Sequence, residues 1–206
     1  MKTFEQKVDL VLTWAHEVSE VAGRSMTREE LIAIGYKCLE LGRFGNAIQA
    51  FEVADEKDGF IAAGRKAVEE GRLHLASLAF RAAGLWVTRE QRIAIGRKCL
   101  AQGRFSEAFE AFHLAGEKKD YIAVGKTSLE HGFLHIACKA FDAARDKMGL
   151  ADVGRKYLEA GQLNAAFEAF RLARDMNGLT DVGQRWLELR CQDLARRAFE
   201  LAKRFA

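Results

Sequence analysis

The feature that most constrains this chain is an internal repeat of 29 residues. A sequence that recurs at such a period specifies one supersecondary unit many times, and those units bury their apolar faces only by stacking on one another. Matching segments begin at Leu31, Phe60, Arg92, Tyr121, Leu150 and Leu179, so the offsets are 29, 32, 29, 29 and 29 residues. With Leu31 as position one, position five is glycine in all six repeats, from Gly35 and Gly64 to Gly183. Position twelve is glycine in five (Gly42, Gly71, Gly103, Gly132, Gly161) and Arg190 in the sixth. The pattern A-x-x-A-F-x-x-A then follows unbroken, as Ala47, Ala50, Phe51 and Ala54 in the first repeat and Ala195, Ala198, Phe199 and Ala202 in the last. Eleven of the 18 glycines occupy just two positions of the repeat, so the repeat places them and they do not mark flexible linkers.

Spacing turns this pattern into structure. Apolar residues at positions 1, 4, 8 and 9, as in Leu31, Ile34, Cys38 and Leu39, have helical period. Glycine at position twelve predicts a left-handed residue closing that helix. Positions 14, 17, 20, 21 and 24 form the stripe of a second helix, so each repeat reads as a helical hairpin. Glycine at position five falls inside the first helix, where it costs about 1 kcal/mol relative to alanine. Its recurrence predicts a close crossing with no room for a side chain, and the alanines serve the same crossing. The phenylalanine at position 21 is the expected knob. Thr27 to Glu30 and Thr88 to Gln91 are T-x-x-E/Q capping boxes 61 residues apart. Odd repeats carry an apolar residue at position 18 (Ile48, Phe109, Phe167), even ones at position 16 (Leu75, Ile136, Leu194), as if a two-repeat block had been doubled. The absence of proline agrees with many helices joined by short turns. Phe4 to Ala22 reads as the second helix of a truncated leading repeat that covers one end. The expected fold class is all-α: a right-handed α-α superhelix of six hairpins plus an N-terminal helix. It forms one domain over 1–206, with cap and entry at 1–30 and repeats at 31–59, 60–91, 92–120, 121–149, 150–178 and 179–206.

With 206 residues the chain is long enough to bury a full core without disulfides or metal. Its four cysteines lack paired spacing, which points to a reducing compartment, the cytoplasm. Glu5, Lys7 and Asp9 interrupt any signal-peptide core at the start, and no apolar run is long enough to span a membrane. Lys plus Arg number 32 against 29 Asp plus Glu, a balance that argues against a committed nucleic-acid or membrane binder.

The repeat resembles the tetratricopeptide repeat. That family places a small residue in the first helix, Gly near the turn, an aromatic two residues on, then Ala, Phe and Ala; here these are Gly35, Gly42, Phe44, Ala47, Phe51 and Ala54. The resemblance covers Leu31 to Ala206, and the spacing holds in six copies. The period departs from the family's roughly 34 residues, and the usual closing proline is absent. The resemblance implies a superhelix whose first helices line a concave surface, and a ligand held there. Basic residues in that groove can clamp the carboxylate of a partner's tail.

Positions six and seven are the ones to examine for such a site. Position six reads Tyr36, Arg65, Arg97, Lys126, Arg155 and Gln184; position seven reads Lys37, Lys66, Lys98, Thr127, Lys156 and Arg185. The candidate groove residues are Tyr36, Arg65, Arg97, Lys98, Lys126 and Arg155, a row able to receive carboxylates or phosphates by charge-assisted hydrogen bonds. The competing reading is a solvated face. Glu40, Glu69, Glu130, Glu159 and Glu188 at position ten lie three and four residues on, within pairing reach, and only Ala101 interrupts them.

Other chemistries are weaker. His131, His135 and Cys138 have spacing that zinc uses, but Gly132 at the turn separates the histidines. Cys38 and Cys99 are equivalent and fit buried apolar positions. No nucleophile with a base partner and no phosphate-binding glycine loop stands out, so no enzyme, metal or cofactor is expected. Asp152 and Asp181 replace Ala at position three; they read as helix caps, with an acidic end to the groove as the alternative. The expected function is a non-catalytic scaffold or adaptor that binds a peptide or protein segment in its groove. The alternatives are a structural protein that dimerises through its C-terminal helix, where Phe199, Leu201 and Phe205 end the stack, an RNA-binding helical repeat, and a sequence drifted or engineered toward consensus.

Overall fold

The computed structural model describes residues 26–116 and 118–205, so the helix expected over Phe4–Ala22 lies outside the described residues. Twelve helices and no strand occur among the described residues: α1 Arg28–Glu40, α2 Phe44–Val53, α3 Lys57–Glu69, α4 Leu73–Ala82, α5 Arg89–Ala101, α6 Phe105–Ala115, α7 Lys118–Glu130, α8 Leu134–Ala144, α9 Lys147–Glu159, α10 Leu163–Ala173, α11 Met176–Glu188 and α12 Gln192–Phe205. They group into two compact bodies, one reaching Lys98 and the other beginning at Cys99.

In the amino-terminal body α1 pairs with α2 and α3 with α4, and the two hairpins join through α2 against α3 and α1 against α3. In the carboxy-terminal body α7 pairs with α8, α9 with α10 and α11 with α12. There α8 packs on α9 and α10 on α11, while the first helices α7, α9 and α11 lie side by side. Each body is thus an α-α solenoid in which successive helical hairpins stack on one another.

Turns follow the glycine pattern. Gly42, Gly71, Gly103, Gly132 and Gly161 have φ between 71° and 79°, the left-handed region predicted for position twelve. The next residue's N–H reaches back to the carbonyl of position eight, as in Arg43 to Cys38 at 2.8 Å and Gln162 to Tyr157 at 2.9 Å, the long bond of a Schellman closure. Arg190 takes the same conformation in the sixth repeat, at φ 59°. A left-handed conformation costs a side-chain-bearing residue roughly 1–2 kcal/mol, part of which a glycine returns as entropy of the unfolded chain. Arg190→Gly is therefore expected to stabilise the protein by about 0.5–1 kcal/mol, read as a higher urea midpoint at unchanged slope.

The turn between hairpins uses the same closure at position 25, with residues that the sequence did not mark. Gly84 and Gly116 are left-handed, but so are Asp55, Arg145 and Arg174. Asp146 and Asp175 then cap α9 and α11, each accepting N–H bonds from the second and third residues of its helix at 3.1–3.2 Å. This corrects the reading of Asp152 and Asp181 as caps. The helices start three residues before the repeat's first position, so position three is already the sixth helical residue, and both aspartates are exposed on the helix surface. The two capping boxes form as expected, Thr27 with Glu30 and Thr88 with Gln91.

The core is a row of clamped phenylalanines. Phe51, Phe112, Phe141 and Phe170 are at most 2% exposed. A Cβ placed on Gly154 would lie 2.6 Å from the Phe170 ring, one on Gly125 2.7 Å from Phe141, and one on Gly64 2.8 Å from Phe80. These distances are too short for real atoms, so position five is glycine because the ring occupies its side-chain space. A second glycine closes the clamp from the following hairpin: Gly59 on Phe51, Gly149 on Phe141 and Gly178 on Phe170. Burying such a ring contributes up to about 3 kcal/mol.

Two places break the repeat. Between α4 and α5 the three extra residues leave Trp86 78% exposed beside the buried Val87. In α7, Ser128 stands where Cys38, Ala67 and Cys99 stand in earlier repeats; it is fully buried, and its hydroxyl has no hydrogen-bond partner among the described residues.

Candidate functional site

Positions six and seven follow the buried glycine at position five by one and two residues. Helical geometry therefore turns them away from the crossing toward solvent. Arg65, Arg97, Lys98, Lys126 and Arg155 are all exposed, and Tyr36 is 39% exposed. The Tyr36 ring stands edge-on to Phe51 at 5.2 Å between centroids, so its hydroxyl end is presented on a fixed base. In the amino-terminal body α1 and α3 carry Tyr36 and Arg65, and α5 carries Arg97 and Lys98. In the carboxy-terminal body α7 and α9 carry Lys126 and Arg155.

Pairing is uneven along the two positions, and Lys66 at position seven forms no ion pair among the described residues. At position seven, Lys37 meets Glu40 at 2.8 Å, Lys156 meets Glu159 at 2.8 Å and Arg185 meets Glu188 at 3.2 Å. The hydrogen bond from Lys37 holds the Glu40 carboxyl below its ordinary range and raises the lysine. The solvated-face reading thus describes these position-seven pairs. At position six, Arg65, Arg97 and Lys126 form no ion pair among the described residues, and neither does Lys98, whose would-be partner is Ala101. Arg155 is the exception, because Asp152 one turn earlier takes its guanidinium. Both members of that pair are more than half exposed, so it holds the side chain only weakly.

The other candidates resolve cleanly. His131 lies in the turn after α7, with Nδ1 2.8 Å from the Thr127 carbonyl oxygen, whereas His135 belongs to α8. No cluster of three His, Cys, Asp or Glu placed to hold a metal ion occurs among the described residues. Nor, among them, is any helix long and apolar enough to cross a membrane. Cys38 and Cys99 are fully buried and Cys138 half-buried, and burial raises all three thiols above their ordinary pKa. Cys191 is exposed in the last turn. A maleimide reagent at neutral pH is expected to label Cys191 within minutes and to reach Cys38 and Cys99 only in denaturant, which peptide mass mapping would show.

Sequence reasoning missed the edge where hairpin turns meet. In the carboxy-terminal body Phe133 is 52% exposed and packs on Phe105, with centroids 5.1 Å apart. A groove of about 200 Å³ between Gly103 and Glu107 lies on one side of Phe133, and one of about 310 Å³ toward Tyr157 and Gln162 on the other. A third, also about 310 Å³, runs between Leu158 and Leu189. Position thirteen carries Arg43, Arg72 and Arg104 in the first three repeats, so the only signal was the change to an aromatic there. A further cluster joins Phe109, His113 and Tyr121, with the tyrosine hydroxyl 3.3 Å from His113 Nδ1 and its pKa raised by burial.

No family model matches the sequence, and no curated protein matches it. Among solved structures, the chain is similar to a chain in the crystal structure of the APC/C hetero-tetramer Cut9-Hcn1. The two share 16% sequence identity, with a TM-score of 0.28. The similarity covers 98% of this chain and 43% of that one, so this chain spans less than half of that neighbour's length.

Proposed function

We propose that this chain is a non-catalytic, tetratricopeptide-like interaction scaffold whose first helices hold a segment of another protein. The observation that carries this reading is a set of exposed first-helix cations that no carboxylate of their own helix neutralises. A face that is only solvated gains from neutralising each cation within its own helix, as Lys37, Lys156 and Arg185 are neutralised. Arg65, Arg97 and Lys126 at position six, and Lys98 at position seven, instead remain exposed and unneutralised on successive first helices. Rigid helices that offer fixed cations bind an acidic segment with little ordering cost on their own side. Tyr36 adds an amphipathic ring beside the first of them. Each body offers its own row, Tyr36 with Arg65, Arg97 and Lys98 in one, and Lys126 with Arg155 in the other. Arg155 is the weakest anchor, because a ligand must displace Asp152.

Fluorescence anisotropy with a labelled acidic nonapeptide bearing a free C-terminal carboxylate tests this. Reversing Arg65 and Arg97 together to Glu is expected to weaken binding at least about tenfold, in line with two lost charge pairs and two new repulsions. Binding that is equally tight to the reversed and original proteins would refute the assignment.

A further inference from the structure

The edge of the carboxy-terminal body where the turns within hairpins meet carries a second docking surface. Its grooves come one per joint between hairpins. The first lies between the start of α6 and Phe133, the second between Phe133 and Gln162, and the third between Leu163 and Leu189. Phe133 is therefore the wall shared by two grooves, of about 200 and about 310 Å³. Its ring rests on Phe105, which is buried and also holds the His131 ring at 5.3 Å between centroids. A half-exposed aromatic side chain thus stands on a rigid base, where other repeats carry Arg43, Arg72, Arg104 and Gln162.

Charge and hydrogen bonding say what fits there. The edge offers donors. Arg104, Phe133 and Gln162 begin α6, α8 and α10 without a side-chain cap. First-turn N–H groups, those of Ser106 and His135 among them, therefore line the grooves with no partner inside their helices. The carbonyls of Ser128 and Tyr157 are already taken by the turns, which donate the N–H groups of Phe133 and Gln162 at 2.8 and 2.9 Å. Full charges are absent or satisfied. Arg104 and Glu107 pair at 2.7 Å beside the first groove, and no Lys, Arg, Asp or Glu lines the second. The complementary occupant is an uncharged chain that brings carbonyl oxygens to the partial positive charge of the helix starts and no N–H group that needs an acceptor, which describes proline. Spacing agrees. Packed helices stand about 8–10 Å apart, so successive grooves recur at that interval, and a polyproline II helix repeats every three residues, or about 9 Å. We infer that this edge binds a proline-rich segment of another protein in the polyproline II conformation. Prolines three residues apart enter the grooves on either side of Phe133, and their carbonyls meet the uncapped starts of α6 and α8. This goes beyond the first-helix site and uses none of its residues.

The probe is a fluorescently labelled, end-blocked decapeptide with proline at every third position and no charged residue, titrated against the full chain. Saturable binding is expected below about 1 mM. Replacing the prolines by alanine, or moving them to a four-residue spacing, should weaken it at least about fivefold. Phe133→Gln should do the same at unchanged helical circular dichroism, because Gln162 already occupies the equivalent position of the next repeat. R65E/R97E should leave it unaltered. Four results would each overturn the proposal: no saturable binding of the proline peptide, equal binding of the alanine peptide, equal binding to the Phe133→Gln protein, or sedimentation that shows a dimer lost on Phe133→Gln. The second would leave the grooves open to any apolar segment, and the last would assign the edge to a second copy.

Discussion

Phe170→Ala is expected to cost about 4 kcal/mol, the largest loss available to any single truncation in the carboxy-terminal body. The ring is 1% exposed and fills the side-chain space of Gly154 below and Gly178 above. Removing it deletes apolar burial and leaves a void between two backbones that cannot close, because both are pinned by Schellman turns. Urea unfolding followed by far-ultraviolet circular dichroism measures it. The loss belongs to two hairpins at once, so the transition should also broaden as their coupling weakens. A cost below 1 kcal/mol would mean that the ring is not the keystone described here.

The second large effect is the reverse experiment. In Gly178→Ala the new methyl has no room beside the Phe170 ring. Overpacking costs up to about 3 kcal/mol, and the gain in helix propensity returns about 1, for a net loss of about 2 kcal/mol. Alanine stabilises an ordinary helical site, so the sign alone is diagnostic. Pairing the change with Phe170→Leu supplies the decisive check. The smaller side chain relieves the clash, so the double variant should lose clearly less than the sum of the two singles. Additive losses would separate the glycine from the ring.

Much of this architecture was legible before any coordinates. Position-twelve glycines announced the first turn, and Phe51 with its equivalents announced the knob, because a residue type was present to carry each message. The second turn carried no such message. Asp55, Arg145 and Arg174 adopt a glycine's conformation, and only the fixed length between helices forces them to. Asp146 and Asp175 were overlooked as caps because the alignment began inside the helix, which shifted attention to Asp152 and Asp181. The clamp was half visible. Gly35 and its equivalents implied a close crossing, but Gly59, Gly149 and Gly178 face the ring from the next hairpin, and spacing alone cannot say which element arrives there. At the candidate site the sequence located the cations but not their partners. Whether a lysine meets the glutamate one turn on depends on rotamers, and these distinguish Lys37, three residues before Glu40, from Lys126, four residues before Glu130.

The clamp also governs how such a chain can change length. Phe51, Phe141 and Phe170 are each gripped by two glycines 24 residues apart, one before the ring and one after, and the Phe141 and Phe170 grips are related by one period. Excising 29 residues from anywhere between Tyr121 and Gly178 therefore rejoins a complete grip and two complete turns, whichever residue the cut begins on. Removing 28 or 30 places a methyl-bearing backbone against a ring and turns the following helix by about 100°. Growth and loss by whole periods are thus silent to the fold, and every other increment is punished at once.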